Sequence, residues 1–343
     1  MKKKIKVKFL GFWDEVSDTD NLFYNILKER YDVEISDDPD FLFFTPLYQP
    51  LEWARYDCVR IMFTGEFYSA DWTVCDYAID FDNYVFGDRH MRYPLYLYRK
   101  DGAYPKRKKL TYDEAKNILA NKKYFANFIY GHGAETGMRE SVLSAFSQYK
   151  RVECAGTYLN NMPNGETVTY GGTKGPFVAS TKFTLAIESV CYPDYCGEKI
   201  TDAFENYSIP IYYGNKNVST EFNPKAFIDL HSYATTEEAL EYVKQIDAND
   251  ELYIQMLMED EFLDPDYPPK KYAELKAFLY NICDQDKESA YRRTRYYRSY
   301  HYERMYKYAS YHFNNRFLKY IYFAFNKLDL IRQAHLKEKG HRT

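Results

Sequence analysis

One stretch, residues 182–227, limits the possible folds more than any other: KFTLAIESVCYPDYCGEKITDAFENYSIPIYYGNKNVSTEFNPKAF. It reads as an apolar strand, a polar loop, a helix, a second apolar strand and a turn at Gly214. Two strands joined through a helix pair in parallel, as in an α/β domain. Glu198 and Lys199 stand where the loop becomes the helix. Free N–H groups and the helix dipole attract anions at such a junction. Lys199 would add a full positive charge beside a pyrophosphate, and Glu198 would accept two hydroxyls of a ribose or sugar. An ordinary solvated helix start also carries such a pair, and on spacing alone that is the commoner case.

The same rhythm runs through the rest of the chain. Strands are expected at Ile5 to Phe12, Phe41 to Phe44, Val59 to Phe63 and Asp76 to Phe81, with a helix near Asn21 to Tyr31. Thr111 and Glu114 form a capping box for a helix through Leu119. The pattern restarts at Lys122. A strand at Tyr124 to Tyr130, a glycine loop, a helix opened by Arg139 and a strand at Val152 to Cys154 follow. Asn160 to Gly175 is rich in Gly, Asn and Thr and reads as a surface loop. Thr235 and Glu238 cap a further helix. A chain of 343 residues is long for one domain, and the boundary is placed near residue 122. The expected division is 1–121, 122–290 and a helical tail at 291–343.

Charge sharpens the division. The chain carries a net −4, but residues 291–343 hold 13 Lys and Arg against 3 Asp and Glu, leaving −14 for the rest. Tyr302, Tyr306, Ala309, Phe313, Phe317, Tyr320 and Ala324 recur every three or four residues there. A basic amphipathic helix suits an anionic membrane surface, and the alternative is packing on the body. We expect packing for its first half and peripheral membrane contact for its second, with no nucleic-acid partner. Six cysteines without CxxC spacing read as reduced thiols in a cytoplasmic protein, at most peripheral on the inner face of a membrane. Cys191 and Cys196 lack further ligands, so no metal is expected. The 38 tyrosines fit amphipathic packing, and stacking on sugar faces is the sharper alternative.

Two further residues stand at the carboxyl edges of strands, where open α/β sheets bind ligands. Arg139 follows the glycine loop after Tyr124 to Tyr130 and is suited to clamp phosphate oxygens. Its charge opposes the helix dipole there, which favours function over a plain surface position. Glu66, in FTGEFY, follows the strand ending at Phe63 and would deprotonate an alcohol, or else be a turn residue. His132 and His90 lack a partner at fixed spacing. Asp80 and Asp82 form a DxD at a strand end and read as structural.

Taken in order, the motifs resemble the family-10 glycosyltransferases, the bacterial-type α-1,3/4-fucosyltransferases. TKFTLAIES, YCGEKI, IPIYYG and FNPKAF are similar to that family's donor core, and FTGE, DYAIDFD and DRHMRYPLY to its N-terminal half. The resemblance runs to about residue 280. It implies a GT-B fold, two Rossmann-like α/β domains facing a cleft, with the acceptor on the first and GDP-fucose on the second. It makes Glu66 the general base, Arg139 and Lys199 the pyrophosphate clamp, and Tyr195, Glu198 and Ser189 donor contacts. It also implies metal-independent, inverting transfer to an oligosaccharide or glycolipid acceptor, without a cofactor. Ser189 stands where the family has Asn, Gly197 where it has Thr, and Thr157 where many members have Arg or Lys. The loop at 160–175 is longer than the family's. These departures keep open a different GDP-sugar, and a non-catalytic glycan-binding protein is the rival from another class.

Overall fold

Alternating burial in β1 (Lys4–Leu10) sends Ile5, Val7 and Phe9 into a core, and a chain of crossovers follows from it. In this computed structural model, the described residues are 2–313 except 14, 15, 48–50, 106, 135 and 170, with six positions between 318 and 328. After β1 come α1 (Leu22–Arg30), β2 (Asp32–Ile35), β3 (Phe41–Phe44), β4 (Val59–Phe63), β5 (Tyr77–Asp80) and β6 (His90–Arg92). α1 starts where it does because the Asn21 side chain accepts the Tyr24 N–H at 2.9 Å. The strands form one parallel sheet in the order β2-β1-β3-β4-β5-β6. β3 and β4 are buried along their whole length, as strands covered on both faces must be.

α2 (Tyr112–Ala120) bears the expected capping box of Thr111 and Glu114. The second sheet then begins. β7 (Tyr124–Phe128), α3 (Met138–Ser147), β8 (Val152–Cys154), α4 (Lys174–Ala179), β9 (Thr181–Ile187), α5 (Lys199–Glu205), β10 (Ile209–Tyr213) and β11 (Ile228–Asp229) follow in sequence. Their parallel order is β11-β10-β9-β7-β8. In both sheets the winding reverses beside the first strand, between β1 and β3 and between β7 and β9. Each reversal opens a crevice beyond the carboxyl ends of those strands. The architecture is that of GT-B, two Rossmann-like α/β domains.

Three strands escaped the sequence reading. β2, β6 and β11 are two to four residues long and sit at or next to sheet edges, so they lack an apolar run. α4 also falls outside it, since its Lys-Gly-Pro start resembles a loop.

The chain then returns to the first sheet. α6 (Thr236–Asp247) and α7 (Asp250–Met258) cover the second sheet, but α8 (Tyr267–Asp284) buries Leu275, Leu279, Ile282 and Cys283 in a core shared with Ile5, Leu27 and Tyr31. The Tyr31 hydroxyl donates to Asp284 at 2.8 Å. α9 (Lys287–Ala290) leads to α10 (Arg298–Phe313), which packs on the first domain. There Glu303 pairs with the buried Arg60 at 2.8 Å, and Tyr306 meets Trp53 edge-on at 5.3 Å. Of the expected face, Tyr306 makes the contact, joined by Glu303 and Ser310, while Tyr302 is 48 % exposed. A buried arginine selects a carboxylate-bearing face over the most apolar one. Phe317 lies outside the described residues. No described helix is long and apolar enough to cross a membrane.

Candidate active site

The two crevices face each other. A network led by Arg92, at the end of β6, holds the domains in register. Its Nη1 lies 2.5 Å from Glu221 of the second domain, and Glu221 also accepts from the Tyr96 hydroxyl at 2.6 Å and the Tyr267 hydroxyl at 2.5 Å. Beside it, Phe67 of the first domain meets Tyr192 at 4.8 Å and Tyr195 at 5.7 Å, and Phe81 meets Tyr195 at 5.1 Å. These rings tie the turn that bears Glu66 to the loop that leads into α5.

Glu66 lies on the turn after β4. Its N–H donates to the Thr64 hydroxyl at 3.2 Å, and that hydroxyl donates to the Glu66 carbonyl at 3.1 Å. The carboxylate is open to the cleft. Partial burial pushes its pKa up, the charges of Glu198 and Glu188 push the same way, and Lys199 and His132 pull down. A carboxylate raised in this way is suited to accept a proton near neutral pH.

Lys199 is the first residue of α5. Its ammonium lies 2.8 Å from Glu188 and 3.7 Å from Glu198. Burial works against its charge, but the two carboxylates hold its pKa well above the ordinary value. Glu198 is held below the usual carboxylate range: burial opposes its charge, and Lys199 outweighs that. Tyr195 is buried, and that burial raises its pKa. Ser189 is half-buried, directly after Glu188.

Arg139, in the first turn of α3, is 3 % exposed. Its Nε donates to the Ile187 carbonyl at 3.2 Å and its Nη1 to the His132 carbonyl at 2.8 Å. The guanidinium lies over the Tyr130 ring, 4.0 Å from its centre. Tyr130 is itself fixed, donating to the Leu185 carbonyl at 2.5 Å and accepting the Ile187 N–H at 2.7 Å. Among the described residues no hydrogen bond engages Nη2, which leaves that edge for a ligand. His132 is exposed beside it.

The structure thus brings Glu66, Tyr195, Glu198 and Lys199 into one electrostatic neighbourhood and seats Arg139 and Ser189 at the end of β9. Asp80 is fully buried and accepts from the Asp82 N–H at 2.9 Å, with the His90 ring nitrogen at 2.7 Å. Among the described residues no group of three or more His, Cys, Asp or Glu is placed to hold a metal ion.

Sequence reasoning missed Glu188. It is fully buried, accepts the Gly197 N–H at 2.8 Å and holds Lys199. Two glycines make its socket. A Cβ at Gly214 would lie 2.5 Å from the Glu188 Cγ, and one at Gly197 would lie 3.2 Å from both carboxylate oxygens. The available signal was the pair of glycines opposite an acidic residue at a strand end.

Residues 7–99 match the profile described as the alpha-(1,3)-fucosyltransferase FucT N-terminal domain, and residues 119–311 match glycosyltransferase family 10 (fucosyltransferase) C-term. An alpha-(1,3)-fucosyltransferase FucT of Helicobacter pylori is 28% identical over 82% of this chain and 66% of its own length. The human 4-galactosyl-N-acetylglucosaminide 3-alpha-L-fucosyltransferase 9 is 29% identical over 28% of this chain and 30% of its own. The chain therefore spans just under two thirds of the Helicobacter relative. Among solved structures, an alpha1,3-fucosyltransferase superposes with TM-score 0.66 at 26% identity, covering 82% of this chain and 91% of that one. An alpha1,3-fucosyltransferase with GDP-fucose gives TM-score 0.64 at 26% identity, covering 84% and 93%. A profile match over more than half of its length, on a fold of the same design, places this chain in glycosyltransferase family 10.

Proposed function

We propose that the chain is an inverting α-1,3-fucosyltransferase that moves fucose from GDP-fucose to a hydroxyl of a GlcNAc-containing glycan. The observation that carries this reading is that Glu66 of one domain lines the same cleft as Glu198 of the other, where it feels the charges of Lys199 and Glu188. Similarity to an alpha1,3-fucosyltransferase with GDP-fucose supports the donor. Glu66 takes the proton of the acceptor hydroxyl as its oxygen attacks the anomeric carbon. The bond from that carbon to the diphosphate oxygen breaks, and GDP leaves. A positioned base contributes about 10²- to 10⁴-fold. Arg139 and Lys199 stabilise the charge that grows on GDP. Tyr195, Glu198 and Ser189 hold the donor. These cations serve in place of a metal, and EDTA should leave turnover unchanged.

The first half of the tail packs on the body, while Tyr320 and Leu328 of its second half are 73 % and 62 % exposed. That supports a peripheral contact with an anionic membrane, in a cytoplasm where the six free thiols stay reduced. A screen of GDP-sugars against a β-galactosyl-GlcNAc acceptor, reading released GDP, tests the function. Release with GDP-fucose supports it; release only with another donor overturns the fucose assignment.

A further inference from the structure

The loop between β9 and α5, residues 188–198, carries Ser189, Tyr195 and Glu198, and one residue in it has an unusual backbone. Asp194 has a φ of 66°, in the left-handed region. Asp enters that region more readily than most residues, but at a cost that its surroundings must offset. The offsetting contacts are specific. The Asp194 N–H donates to the Asn215 side-chain oxygen at 2.7 Å, and the Asn217 side-chain amide donates to the Asp194 carboxylate at 3.1 Å. Asn215 is buried and fixed in turn. Its side-chain oxygen also accepts the Asn217 N–H at 2.9 Å, and its own N–H donates to the Tyr212 hydroxyl at 3.0 Å. These partners lie in or just after β10, within the second domain.

A further contact crosses between domains. Arg92, at the end of β6, donates from Nη2 to the Asp194 carbonyl at 3.4 Å and to Glu221 at 3.2 Å. Its other terminal nitrogen, Nη1, is already committed to Glu221 and to the Tyr267 hydroxyl at 3.1 Å. A planar fork can serve a carboxylate and a carbonyl on different segments at once, which a lysine ammonium on a flexible stem does poorly.

The carbonyl that Arg92 holds belongs to the peptide that leads into Tyr195. The Tyr195 N–H, on the same peptide, donates to the Tyr192 carbonyl at 3.3 Å. Rotation of this peptide would therefore swing the Tyr195 ring away from Phe67 and Phe81, and its hydroxyl away from the charges of Glu188, Lys199 and Glu66.

We propose that Asp194 and Arg92 are positioning residues for the donor: Asp194 sets the left-handed turn that presents Tyr195, and Arg92 secures that turn from the other domain. The inference rests on the GDP-fucose reading above and adds the residues that shape the donor loop. It makes donor affinity depend on a residue of the first domain, through the contact between domains.

The test uses the full chain, with GDP binding followed by calorimetry and the KM values for GDP-fucose and β-galactosyl-GlcNAc read from released GDP. Arg92→Lys keeps a cation for Glu221 and loses the fork. Asp194→Ala removes the acceptor for Asn217 and disfavours the left-handed turn. A loop that holds its binding shape only about a tenth of the time raises the apparent Kd about tenfold. Each variant should therefore weaken GDP binding and raise the KM for GDP-fucose by about that factor, with the acceptor KM unmoved. Asp194→Asn keeps both the side-chain oxygen and the tolerance of the turn, and should restore binding to within about twofold of the parent. Asp194→Gly adopts the φ freely but loses the hold of Asn217, and with Arg92→Lys it decides the matter if Asp194→Ala does not fold. The inference is overturned if the folded variants bind GDP as tightly as the parent, or if Asp194→Asn weakens binding as far as Asp194→Ala. A parent chain that neither binds GDP nor releases it from GDP-fucose overturns the donor reading itself.

Discussion

Replacing Glu66 with Gln should lower turnover and raise stability together. The amide has the shape of the carboxylate, and the turn is fixed through main-chain bonds with Thr64, so packing is kept. What disappears is the proton acceptor. Its loss should slow transfer by about 10²- to 10⁴-fold, or about 3 to 5 kcal/mol in the barrier. Stability moves the other way. Glu66 has a folded pKa raised above its unfolded value, chiefly by burial and then by Glu198 and Glu188. A raised carboxylate contributes stability that is present below the unfolded pKa and is lost as pH rises through the folded one. At neutral pH the ionised Glu66 is therefore a burden that Gln removes. GDP release with GDP-fucose and β-galactosyl-GlcNAc measures the first effect, thermal unfolding at pH 5 and pH 8 the second, and GDP titration checks that the donor still binds. The variant should gain stability at pH 8 relative to the parent and less at pH 5. A turnover within about threefold of the parent would refute the base assignment, since even a weakly placed base gives more than that. A variant that is slow and also less stable at pH 8 would refute the electrostatic account.

Three further outcomes are expected. Glu188→Gln strands Lys199 against Glu198 alone and should cost about 3 kcal/mol in urea unfolding, as removing one partner of a buried pair does; no change would mean that the pair is not held as described. Glu261 is buried, and its pKa is pushed up to about 7, first by burial. Its contribution is full below pH 4.5 and lost as pH rises through 7, so Glu261→Gln should gain about 3 kcal/mol over the parent at pH 8 and little at pH 4, read by denaturant titration at both. Ending the chain after Tyr297 removes Glu303 from the buried Arg60 and uncovers Trp53, and should lower stability by about 3 kcal/mol. Flotation of both chains with anionic vesicles tests the membrane contact separately, and equal flotation would count against it.

Local pattern alone determined that this is an α/β chain with two sheets. Runs such as FLFF and VRIMF are long enough to declare buried parallel strands, and Thr111-Glu114 and Thr235-Glu238 declare helix starts. The ordered motifs also declared the family, because each is a contiguous string. β2, β6 and β11 were illegible, since short edge strands are stabilised by their neighbours and carry little apolar signal of their own. Only the tertiary structure decided what surrounds each site residue. Arg139, read as a phosphate clamp at a strand's carboxyl edge, is buried over Tyr130, and Glu188, which the sequence did not single out, holds Lys199. Sequence spacing records neighbours along a chain. The charge on Glu66 depends instead on carboxylates and an ammonium contributed by another domain, more than a hundred residues away, and only folding brings them within electrostatic reach.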